Sequence, residues 1–104
     1  MSQAPPVIAN AFKASARERL LHYLASRGKV READVHSLTP DASTREYFRL
    51  PWKKGTAIAA VYPDPFDPEF HPYLDVTRLF KEAELPVPEV LAVSGTDGII
   101  IQED

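Results

Sequence analysis

The sequence predicts an α+β domain: a five-stranded antiparallel sheet, one helix ahead of it, and one helix between the third and fourth strands. Apolar residues recur at helical spacing over residues 12–27 and again over 71–84. Between these segments lie three short β-prone runs, at 35–38, 47–50 and 57–62, divided by turn residues. Two further runs, at 89–93 and 99–101, follow the second helical pattern.

Residues 1–11 read as a flexible arm, in which Pro5 and Pro6 favour extended backbone. Asn10 is the expected N-cap of the first helix. Leu20, Leu21 and Leu24, with Ala16 one turn earlier, form its apolar face, and Gly28 stands where a helix-ending glycine belongs. The first three strands form a meander, with turn chemistry at Pro40, Asp41, Ala42 and Ser43 and again at Lys53, Lys54 and Gly55. Pro51 is expected to close the second strand. Pro63, Pro65, Pro68 and Pro72 then exclude both a helix and a central strand from the connector. The second helix starts near His71 with Pro72 in its first turn, and Pro86 and Pro88 stop it. Val76, Leu79, Phe80 and Ala83 recur at i, i+3, i+4 and i+7, so they are expected to be its buried face. Asp97-Gly98 is a hairpin signal before the fifth strand. Ile99, Ile100 and Ile101 are apolar on both faces and call for cover on both.

The chain has 104 residues, a net charge of −3 and no cysteine. That length holds one small domain, with 12–104 as the folded unit. The absence of cysteine excludes a disulfide framework, a thiolate zinc site and a cysteine nucleophile. The acidic balance lacks the basic footprint of a nucleic-acid binder. No run approaches the ~18 apolar residues of a membrane span, and no basic segment followed by an apolar run opens the chain, so a cytoplasmic address is expected.

Four glycines cannot build a conventional glycine-rich phosphate loop, and no nucleophile-elbow or zinc-helix motif occurs. Asp64, Asp67, Glu69 and His71 carry hard-metal donors, but their spacing follows no ligand pattern, and no metal site is expected there. The segment around Ser43, Thr44 and Arg45 differs. It gathers two hydroxyls and a guanidinium beside backbone N–H groups in a strand-to-strand turn, a set able to hold a phosphate. An ordinary polar hairpin loop would have the same composition.

The run 38–50, Leu-Thr-Pro-Asp-Ala-Ser-Thr-Arg-Glu-Tyr-Phe-Arg-Leu, resembles the first hairpin of the aminoglycoside-phosphotransferase-like family. The branch it most resembles is that of bacterial N-acetylmuramate/N-acetylglucosamine anomeric kinases. Residues 72–76 and 85–91 resemble that branch's second helix and next strand, and 98–104 its strand into the hinge. The resemblance implies a protein-kinase-like N-lobe ending at the hinge, with ATP as ligand. It implies that Ser43, Thr44 and Arg45 cover the phosphates. Ile58 and Ala60 would line the adenine slot, and the backbone of Gln102 and Glu103 would bond the adenine edge. The catalytic and metal-binding aspartates would lie on a C-lobe, so no catalytic residue is expected in this chain, and Mg²⁺ and a sugar acceptor only with that lobe present.

Two departures stand out. Ala60 occupies the place of the third-strand lysine of protein kinases, and the second helix offers Asp75 rather than a glutamate as a partner. Two functions remain open. One is the nucleotide-binding lobe of an ATP-dependent amino-sugar or cell-wall-sugar kinase. The other is a non-catalytic protein-interaction module with the same fold. A lobe cut at the hinge would self-associate through the surface that met its partner lobe, near the isoleucine strand and the second helix.

Overall fold

The structure is a computed structural model that describes residues 15–28, 30–38 and 45–104. The arm at 1–11 and the loop residues Ser43 and Thr44 lie outside the described residues. The element order is α1 (Ala16–Arg27), a 3₁₀ turn (Glu32–Asp34), β1 (His36–Ser37), β2 (Glu46–Trp52), β3 (Gly55–Val61), a second 3₁₀ turn (Pro68–Phe70), α2 (Pro72–Glu82), β4 (Val90–Ser94) and β5 (Ile99–Glu103). The five strands form one antiparallel sheet in the order β1-β2-β3-β5-β4.

α1 starts later than the periodicity predicts. Ser15 is extended and caps the helix: its side chain accepts from the Glu18 N–H, and the Glu18 carboxylate accepts from the Ser15 N–H. This reciprocal pair satisfies two otherwise orphaned donors, so Ser15 marks the start of this helix, and Asn10 lies outside the described residues. Gly28 ends the helix as expected, its N–H bonded to the Leu24 carbonyl. Ala16, Leu20 and Leu24 pack against Phe48, Leu50, Ala57, Ala59, Val61, Ile99 and Ile101, which are the α1-facing side of the sheet. Arg17 ties the first 3₁₀ turn to the helix through the carbonyls of Val35 (2.7 Å) and Glu32 (2.8 Å).

Pro51 lies inside β2 rather than at its end. β1 reaches along β2 only to Phe48 and Arg49, so no neighbour needs an N–H from Pro51, and the missing donor costs nothing. The turn to β3 is two residues long, with Lys53 in the left-handed region at φ 51. Ile99, Ile100 and Ile101 are 0 % exposed. The strand is therefore covered on both faces, as its run of three isoleucines calls for.

The proline-rich connector is locked to the β4–β5 turn. The Tyr62 N–H bonds the Gly98 carbonyl and the Phe66 N–H bonds the Gly95 carbonyl. Gly95 is required by close approach, because a Cβ there would stand 2.2 Å from the Phe66 carbonyl oxygen. Gly98 sits at φ 73, where glycine carries no steric penalty.

α2 overturns one expectation. Its sheet side is built from Tyr73, Leu74 and the buried Thr77, whereas Val76, Leu79 and Phe80 are 49 %, 61 % and 44 % exposed. The rotation is pinned from outside the helix: the Tyr73 hydroxyl donates to the Gln102 side-chain oxygen at 2.6 Å. With Tyr73 turned to β5, the apolar stripe points away from the sheet. Among the described residues no helix is long and apolar enough to cross a membrane.

Candidate functional site

α1 closes one face of the sheet. Strand alternation gives the other face to Tyr47, Ile58, Ala60, Tyr62, Ile100 and Gln102. Tyr47 pairs with Ala60 and Ala60 with Ile100, while Ile58 pairs with Arg49 and Gln102. Three of the residues expected at a nucleotide site, Arg45, Ala60 and Gln102, line one concavity of about 80 Å³ with Tyr47, Tyr62 and Tyr73. Ile58 shares the face but does not line it. The backbone N–H of Glu103 is engaged inside the fold, donating to the Glu89 carbonyl at 2.9 Å, and the Glu103 carboxylate accepts from the Glu89 N–H. That amide is not available to an adenine edge.

The side chain of Arg45 stands over two tyrosine rings, 5.7 Å from the centroid of Tyr47 and 5.6 Å from that of Tyr62. Such placement favours a cation electrostatically. Burial works against the charge of Arg45, but the phenol groups of Tyr47 and Tyr62 outweigh it and raise its pKa. The Tyr62 phenol is raised by burial, which Arg45 partly offsets. Among the described residues no carboxylate lies within ion-pair distance of Arg45.

His71 stands at the N-cap position of α2 without a side-chain capping bond, and it is buried. Its ring meets Tyr62 edge-on at 4.8 Å and Phe66 at 4.3 Å. Burial lowers its pKa, the charge of Arg45 lowers it further, and Asp75 acts in the opposite sense. Its Nδ1 is buried with no hydrogen-bond partner among the described residues. Asp75 itself accepts from Arg78 at 3.3 Å.

The arrangement is a fixed cation on aromatic walls, with a neutral imidazole nearby. It can bind an anionic oxygen group. At about 80 Å³ it takes one small group rather than a whole nucleotide, whose pockets run to roughly 300–1,000 Å³. Among the described residues no three His, Asp or Glu side chains gather as metal ligands. Asp67 is used locally, accepting from the Glu69 N–H at 2.9 Å.

The tyrosines were the part of this site that sequence reasoning missed. Tyr62 continues the alternation of Ile58 and Ala60, and Tyr47 stands opposite Ala60, so a period-two reading carried across the β2–β3 hairpin places both on this face. A larger concavity lies elsewhere. About 480 Å³ in volume, it lies between α2 and β4, with Leu74, Thr77, Leu85, Val87, Val90 and Val93 among its lining, and contains none of the expected nucleotide residues. Trp52 behaves as a strand-end aromatic at the core edge, with Arg27 over its ring at 5.5 Å. No family model, no curated protein and no solved structure matches this chain.

Proposed function

We propose that this chain is the nucleotide-binding lobe of a small-molecule phosphotransferase, in which Arg45 holds a phosphate of ATP. An amino sugar or cell-wall sugar is the acceptor class, and the address is cytoplasmic. The observation that supports this reading is the place of Arg45. Its guanidinium has no carboxylate partner among the described residues and lines a concavity whose floor includes Ala60, at the position where kinases carry a lysine. A long side chain at Ala60 would fill the space into which Arg45 turns. The connectivity fits as well: a meander, a helix, then a hairpin whose second strand returns beside β3. In this reading Mg²⁺, the catalytic aspartate and the acceptor belong to a second lobe. That no described carboxylate pairs with Arg45 suits a phosphate, because a charge-assisted contact loses its force when an internal carboxylate competes for the cation.

Residue-resolved NMR during an ATP titration tests the reading. ATP should shift the signals of Arg45, Tyr47, Tyr62 and Gln102, and adenosine should leave Arg45 unmoved. An Arg45 signal that is silent to ATP removes the proposal. The second reading, a non-catalytic interaction module, is favoured by one observation, the solvent-facing apolar stripe of α2.

A further inference from the structure

α2 is amphipathic in the wrong direction for its own sheet. Val76, Leu79 and Phe80 lie at i, i+3 and i+4, with Ala83 a turn beyond, and all four are exposed. Phe70 stands exposed just ahead of the helix. Leu85 stands exposed at its other end, where its N–H bonds the Phe80 carbonyl and closes the last turn. Val76, Leu79 and Phe80, neighbours on one helix face, form the kind of exposed apolar patch that marks an interaction site.

Charge selects the occupant. The stretch from Asp64 to Glu89 holds seven carboxylates against Arg78 and Lys81. Arg78 is paired with Asp75 and Lys81 with Glu89. Glu69 ahead of α2, Glu82 in its last turn and Glu84 just after it are exposed and make no ion pair among the described residues. A second copy would bring the same acidic flank against this one, since a two-fold contact places like surfaces together. An anionic lipid surface would be repelled in the same way.

We infer that the α2 stripe docks a cationic amphipathic helix of another protein, with its apolar side on Val76, Leu79 and Phe80 and its lysines or arginines on Glu69, Glu82 and Glu84. Two helices pack side by side through apolar rows at this i, i+3, i+4 spacing, and the acidic rim supplies the choice of partner. This inference rests on the interaction-module reading, since under the nucleotide reading a second lobe would meet this helix; none of its residues lines the Arg45 concavity, so an ATP titration tests the other reading separately.

The test uses the full chain and two labelled helical peptides, one patterned Leu/Lys and its Leu/Glu counterpart, followed by fluorescence anisotropy. The Leu/Lys peptide should bind, and weaken as salt rises from about 0.05 to about 0.5 M. The Leu/Glu peptide should not bind. Leu79→Glu, at an exposed site that leaves the fold intact by circular dichroism, should weaken Leu/Lys binding at least about tenfold. Glu82→Lys with Glu84→Lys should reverse the preference between the two peptides. Equal binding of both peptides, indifference to Leu79→Glu, or binding of anionic vesicles instead overturns the inference. So does a wild-type dimer that Leu79→Glu dissolves, which would make a second copy the occupant.

Discussion

The Tyr73 hydroxyl and the Gln102 side chain, 29 residues apart, are joined by a 2.6 Å hydrogen bond that fixes how α2 is turned on the sheet. Tyr73→Phe removes the donor and leaves the Gln102 oxygen unpaired in a half-buried place. We expect a loss of about 1 kcal/mol in urea unfolding, with the double change Tyr73→Phe and Gln102→Leu costing less than the two single losses combined. Strict additivity of the two would show that the bond does not set the helix.

Arg45 should dominate the affinity for ATP. Arg45→Ala removes a charge-assisted contact worth roughly 1.5–3 kcal/mol, which is at least about tenfold in dissociation constant. Lys53→Ala, in the exposed β2–β3 turn, should change affinity less than about twofold. Calorimetric titration separates the two, and equal effects would reduce Arg45 to a general surface charge.

The chain alone should transfer no phosphate. Phosphoryl transfer requires placed metal ions and an oriented acceptor, and no metal-ligand group is present among the described residues. Incubation with ATP, Mg²⁺ and N-acetylmuramate should give no product above background. Turnover that persists through repurification would mean that this chain carries more of the chemistry than one lobe should.

Two glycines form a controlled pair. An added Cβ at Gly95 collides with the Phe66 carbonyl, while at Gly55 it meets nothing within 4 Å. Gly95→Ala should cost about 1–3 kcal/mol or more by overpacking, and Gly55→Ala should stay within about 0.5 kcal/mol of wild type. Chemical denaturation reads both.

His71 makes stability depend on pH. Burial, and then the charge of Arg45, hold its folded-state pKa below the ordinary 6.5. The unfolded chain therefore binds the proton first as pH falls. Stability is complete above pH 6.5, falls below it, and has lost the whole contribution once pH drops under the folded-state value. His71→Phe keeps the ring contacts with Tyr62 and Phe66 and removes the titration, so the melting temperature between pH 7.5 and pH 5 should depend less on pH than in wild type. An unchanged slope would place the sensitivity on another group.

The strands were legible because each is a short β-prone run bounded by turn residues, and Gly28, Pro72 and Asp97-Gly98 sit where their backbone chemistry demands. The Ser15–Glu18 capping box was equally legible. The rotation of α2 was not legible. Local periodicity chooses the face with the most aliphatic residues, whereas the partner that turned the helix, Gln102, lies on the far side of β4. The site was legible in Arg45, Ala60 and Gln102, which chain order brings to one sheet face. Its aromatic walls were hidden because an isolated tyrosine reads as core filling until strand pairing shows what stands opposite.

β5 follows every other described element in sequence, yet it occupies the slot between β3 and β4. The meander can assemble from neighbouring residues, but one edge of β3 stays open until residues 99–103 arrive, and β4 has no strand partner before then. β4 and β5 make a local hairpin, and docking it on the open edge of β3 is the slow step expected when pairing spans a large sequence separation. Until that step a strand rich in alanine and valine offers bare hydrogen-bonding groups to any passing chain. Crowding in the interval before β5 docks, more than the stability of the finished sheet, should decide how much of this protein reaches its native form.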